Sequence, residues 1–146
     1  MKFELKLAGI ELISKFLLQD PSLGESECYF NYLVDLKLND EQKVGAVITD
    51  ISILSKPDNR QLANFKTMMV FEFPKFEDIF VLVGEKTYSV PVDLEIMLKS
   101  AGLATTRGIM FSELRGTYLH TAPFPLVDIA TPILERQKKS EESKKE

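Results

Sequence analysis

The sequence predicts an α+β fold, with four β-strands in hairpin succession followed by one long helix. Three observations carry this. Through the first half, apolar residues alternate with polar ones; polar or proline-containing turns separate these stretches; and after Pro91 the apolar period lengthens to that of a helix. Strands first and helix afterwards is the order of an α+β domain rather than of a βαβ unit. A chain of 146 residues that is 45% hydrophobic and 27% charged fits one domain able to bury a core and stay in solution.

The elements follow in order. In Phe3–Leu7, Phe3, Leu5 and Leu7 alternate with Glu4 and Lys6. After Ala8-Gly9 the apolar set moves to Ile10 and Leu12, a slip of one residue that predicts a β-bulge at the glycine. A loop with Asp20-Pro21 and Gly24 follows. The second strand places Cys28, Phe30, Tyr32, Val34, Leu36 and Leu38 on one face, and Asn39–Gln42 reads as a hairpin turn. The third strand, Lys43–Leu54, is β-branched and alternates less strictly, which predicts cover on both faces. After the turn from Ser55 to Arg60, the fourth strand places Phe65, Met69, Phe71 and Phe73 on one face, and Pro74 ends it.

Pro91 and Asp93 are helix start signals, and the helix is expected to reach Leu114. Leu94, Met97, Leu98, Ala101 and Leu103-Ala104 follow a helical period. Gly102 and Gly108 each weaken an isolated helix by about 1 kcal/mol, so their presence predicts close packing there. Gly116 is the expected stop. Residues 1–135 are expected to form the domain. From Arg136 onward there is no apolar residue, which predicts a charged, solvated and unstructured tail over residues 136–146.

Chemistry is constrained mainly by what is missing. A net charge of −4 argues against a nucleic-acid surface. With one cysteine and one histidine, no His/Cys zinc site can be assembled in one chain, and no cofactor is expected. The absence of a disulfide, of an apolar leader and of a long apolar run leads us to expect a cytoplasmic protein without a membrane span. Phosphate-cradling and nucleophile-elbow motifs are absent, and no residue set asks for an enzyme. Catalysis would need His120 to find a partner such as Asp128. Phe16, Phe76, Tyr118 and Phe124 fall in predicted connections. They either plug the sheet edges or form an exposed apolar groove of the kind that marks an interaction site.

The order of elements, together with the stretch from Thr106 to Leu134, resembles the SecB family of protein-export chaperones. The resemblance rests on Arg115-Gly116-Thr117 at the end of the long helix and on the proline-bounded apolar loop from Leu119 to Leu126. It implies a four-stranded antiparallel sheet with the long helix and a short C-terminal helix packed on it, assembled as a homotetramer, a dimer of dimers. It also implies ATP-independent binding of unfolded client polypeptides. Client contacts would come from Phe16, Leu17 and Leu18 on one wall and from Tyr118, Leu119, Phe124, Leu126 and Ile133 on the other. Ala101, Gly102, Ala104 and Gly108 would let helices of neighbouring subunits approach closely. The family docks the SecA motor through acids on the outer sheet face. Here the corresponding stretches carry Glu11 and Lys15, and Lys66, Thr67 and Met68. A chaperone dedicated to a toxin–antitoxin pair or another specific client is therefore an alternative to export, as is a non-catalytic adaptor binding one folded partner.

Overall fold

The computed structural model describes residues 3–19, 27–56, 58–120 and 128–145. Four twelve-residue strands, β1 (Lys6–Leu17), β2 (Cys28–Asn39), β3 (Val44–Ser55) and β4 (Gln61–Glu72), form one antiparallel sheet in the order β1-β4-β3-β2. Two of the expected hairpins exist, β2–β3 and β3–β4. The third does not, because β1 and β2 lie on opposite edges of the sheet. Alternation reports which face a residue occupies but not which strand is its neighbour.

Register explains the sheet's buried face. Leu38, Leu36, Val34, Tyr32, Phe30 and Cys28 stand opposite Gly45, Val47, Thr49, Ile51, Ile53 and Ser55. The last six are all buried. In β4, Phe71, Met69, Thr67, Phe65 and Ala63 continue the same rows. Cover on both faces of β3 was expected. Its residues instead alternate strictly between buried and half-buried, so only one face is closed. β1 slips register between Leu7 and Gly9, at the predicted bulge, and again between Leu12 and Ser14. It is longer than predicted: Phe16 and Leu17 are its last two residues rather than part of a loop.

Between Pro74 and Pro91, where the sequence pattern predicts no element, lie a helical turn, α1 (Phe76–Ile79), and a small hairpin, β5 (Val81–Gly84) with β6 (Thr87–Ser89). Phe76 is not in an open connection. It is 1% exposed and packs with Phe73, Phe80, Leu94 and Leu98.

The long helix α2 (Val92–Glu113) starts after Pro91, as predicted. It buries Leu94, Leu98, Gly102, Thr106 and Met110, one residue per turn, together with Glu95 and Leu103. Met97 and Ala104, expected on the same stripe, point away from the sheet and are exposed. The helix is apolar on two faces, and period alone could not say which of them meets the sheet. Gly116 adopts φ +81°, the left-handed conformation in which a side chain is strained, and it turns the chain out of α2.

The C-terminal helix α3 (Ala130–Lys145) is longer than expected and corrects the prediction for residues 136–146. The charged tail continues as exposed helix up to Lys145. Its start is capped by Asp128, whose carboxylate accepts hydrogen bonds from the backbone N–H and the hydroxyl of Thr131. Ile133 anchors its first turn in the core, and Arg136 forks onto the buried Glu95 of α2.

Candidate functional site

The core continues to one end of the sheet. There Ile51, Ile53, Leu62 and Phe65 meet Met110, Leu114, Leu119, Ile129 and Ile133. Two segments about a hundred residues apart in sequence converge over this core. One is the end of β1 with Leu18; the other is the turn after α2. The Tyr118 hydroxyl donates to the Leu18 carbonyl at 2.6 Å, and the Leu18 N–H donates to the Leu62 carbonyl at 2.8 Å. Leu17, Leu18 and Tyr118 are half-buried and pack on the core from opposite sides. The Thr117 hydroxyl caps the Leu114 carbonyl at 2.7 Å and holds the turn beneath Tyr118 in place.

Beside this junction is an open cleft of about 380 Å³ lined by Phe16, Leu17, Phe65, Leu114 and Thr117. Lys15 and Glu113 span its rim in an ion pair at 2.9 Å. Phe16 is 44% exposed. The floor is apolar and the rim is polar. This arrangement holds an apolar side chain while leaving the backbone that carries it at the surface.

The expected site residues divide into groups. Phe16, Leu17, Leu18 and Tyr118 are brought together. Leu119 and Ile133 do not fit their expected role: at 3% and 6% exposed they close the chain's own core and present no surface to a client. The reason is local. Leu119 follows the Thr117 turn inward, and Ile133 lies on the one face of α3 that meets the sheet domain. Phe124 and Leu126 lie outside the described residues. Two cleft residues, Phe65 and Leu114, are missing from the sequence prediction. Their signal, placement on a core-facing period, is the same as that of any buried residue.

The expected subunit-contact residues also divide. Gly102 is buried against its own sheet. A Cβ there would lie 2.6 Å from Val47 Cγ1 and 2.8 Å from Thr49 Oγ1, so this glycine lets α2 approach β3 and is not available to another subunit. Ala101 is half-buried. Ala104 and Gly108 are exposed, and nothing lies within 4 Å of a Cβ built on Gly108. With Met97 (45% exposed) and Phe111 (58%), they form an apolar stripe on the face of α2 away from the sheet. Along the edge strand β1, Leu7 and Ile10 are exposed in register with Phe71 and Met69 of the covered face, while Phe16 is in register with Asn64 of the open face.

No acid–base pair forms between His120 and Asp128. His120 lies against the Phe111 ring, with centroids 5.8 Å apart. Asp128 is engaged as the α3 cap, and its hydrogen bonds from Thr131 lower its pKa. Burial raises the pKa of the Cys28 thiol, which makes it less reactive. Among the described residues, no group of three or more His, Cys, Asp or Glu could hold a metal ion, and no helix is long and apolar enough to cross a membrane.

Compared with protein-family models and with curated proteins, the sequence finds no match. Among solved structures it is similar to the Mycobacterium tuberculosis Rv1957 SecB-like chaperone in complex with a ChAD peptide from the Rv1956 HigA1 antitoxin. The two share 11% identity over 84% of this chain and 86% of that one, with a TM-score of 0.52. With its four-stranded antiparallel sheet, long helix and C-terminal helix, this chain has a SecB-like fold.

Proposed function

We propose that this protein is an ATP-independent chaperone that holds unfolded polypeptide segments in the cleft between the end of β1 and the turn after α2. The observation that carries this reading is an open cleft lined by Phe16, Leu17, Phe65 and Leu114, beside the junction where Tyr118 bonds to Leu18, on a SecB-like fold. An extended client would place apolar side chains on Phe16 and Leu17. Fully burying one such side chain is worth roughly 1.5–3 kcal/mol, so several together reach micromolar affinity after the cost of ordering the client.

The apolar stripe on α2 and the exposed Leu7 and Ile10 on β1 support a homo-oligomer, and a dimer of dimers uses both. A cytoplasmic location fits this reading. The similar structure holds an antitoxin peptide, which supports a dedicated client. On the open sheet face Glu11, Asp50 and Glu72 are interleaved with Lys6 and Lys66. This is a mixed field rather than an acidic patch, and it favours a dedicated client over a SecA-type motor.

The test is suppression of aggregation of a reduced, unfolded protein, compared between wild type and Phe16→Ser. Because Phe16 is partly exposed, the variant should keep its melting temperature and oligomer size while losing most of the suppression. Equal suppression by the variant, or none by the wild type, refutes the assignment.

A further inference from the structure

At the opposite end of the strands from the cleft, the small hairpin carries a second apolar surface. Val81, Leu82 and Val83 are adjacent in β5 and are 57%, 59% and 64% exposed. β6 pairs with one edge of β5, and among the described residues no strand pairs with its other edge. An exposed apolar edge of this kind is a template for another chain.

The hairpin is also held rigidly. The Tyr88 hydroxyl donates to Asp40 Oδ2 at 2.6 Å, tying the hairpin to the β2–β3 turn. The Tyr88 ring meets Phe76 edge-on, with centroids 5.5 Å apart, and Phe76 in turn stacks on Phe80 at 4.7 Å. Between hairpin and turn is a cleft of about 460 Å³ with an apolar floor of Phe76, Phe80 and Leu82. Its charged lining is entirely acidic, from Asp40, Glu41 and Glu77. Lys43 approaches Glu77 at 3.7 Å and offsets only one of the three.

We infer that this cleft docks a short, extended, basic-and-apolar segment of a partner protein, paired along the open edge of β5. Apolar side chains of the segment would pack on Val81 and Leu82, the exposed apolar residues of the cleft lining, and its lysines or arginines would meet Asp40 and Glu41. Backbone pairing supplies affinity and the acidic rim supplies selectivity. A preformed, anchored strand lowers the ordering cost of such binding. The inference stands apart from client binding at the other end of the sheet.

The experiment measures fluorescence anisotropy of two labelled heptapeptides, Gly-Lys-Leu-Lys-Leu-Lys-Gly and the same sequence with glutamate for lysine. The lysine peptide should bind at least tenfold tighter at low salt, and the gap should narrow as salt shortens the reach of the rim charges. Leu82→Ser with Val83→Ser should weaken it tenfold or more, Glu41→Lys should abolish the charge preference, and Phe16→Ser should leave it unchanged. Equal binding of the two peptides overturns the inference. So does loss of binding in Phe16→Ser with none in the hairpin variant, which would place the peptide in the client cleft. If the hairpin variant lowers the mass of the protein in light scattering, the surface is an interface between copies of this chain, and the inference is again overturned.

Discussion

Replacing Gly102 by alanine tests how closely α2 is seated on the sheet. The added Cβ would stand 2.6 Å from Val47 Cγ1 and 2.8 Å from Thr49 Oγ1, against an ordinary carbon–carbon contact of about 3.5–4.0 Å. An overlap near 1 Å cannot be relieved by a flexible side-chain end. Val47 and Thr49 are β-branched, fully buried and in the middle of a paired strand. Either α2 moves outward or Val47 leaves its rotamer, an overpacking cost of about 1–3 kcal/mol. Alanine returns about 1 kcal/mol of helix propensity, so the net loss should be about 0–2 kcal/mol. Gly108→Ala is the control: its Cβ meets nothing, and it should gain up to about 1 kcal/mol. The propensity gain is common to both, so urea unfolding, with oligomer size checked by light scattering, should separate the two variants by the overpacking cost, about 1–3 kcal/mol. If Gly102→Ala is as stable as Gly108→Ala, the close seating of α2 described here is wrong.

Further predictions concern the polar contacts. Thr106 Oγ1 donates to the Gly102 carbonyl at 2.7 Å and meets Thr67 Oγ1 at 2.6 Å, so Thr67 is the donor between the two hydroxyls. Thr106→Val strands the buried Thr67 hydroxyl and should cost about 1–3 kcal/mol, while Thr67→Val leaves Thr106 bonded and should cost about 0.5–1.5; equal losses in denaturant melts would contradict this donor order. Arg136→Ala removes the fork on Glu95, and because the Arg136 side chain is 64% exposed the loss should be modest, about 1 kcal/mol. Residues 138–145 are all exposed, so truncation after Gln137 should leave the melting temperature nearly unchanged; a large drop would show that the end of α3 is structurally required. Because the folded pKa of Asp128 is lowered, its contribution is present above its unfolded value of 3.8 and is lost as pH falls through the folded value. Asp128→Asn should therefore flatten the acid side of a stability-against-pH profile, and an unchanged profile would argue against the cap. Gly108→Trp fills the outer stripe of α2 and should lower the oligomer mass in light scattering; if the wild type is itself a monomer at micromolar concentration, the proposed assembly is wrong.

The local pattern of the sequence was enough to determine the class of the fold, the four strands, the inward faces of β2 and β4, the bulge at Gly9 and the boundaries of α2. Each of these depends on neighbours along the chain: alternation, a proline, a glycine. The tertiary structure decided the rest. It separated β1 from β2 and put Phe16 at the end of a strand. It chose which apolar face of α2 meets the sheet, and so turned Gly102 inward and left Ala104 and Gly108 outside. It continued α3 through a stretch with no apolar residue, held by the Asp128 cap, Ile133 and the fork between Arg136 and Glu95. It also buried Leu119 and Ile133 while leaving Val81–Val83 in the open. Periodicity shows that a side chain has an apolar face to bury. Whether that face meets the chain's own core, a second subunit or a client depends on surfaces brought together from residues as distant as Leu18 and Tyr118.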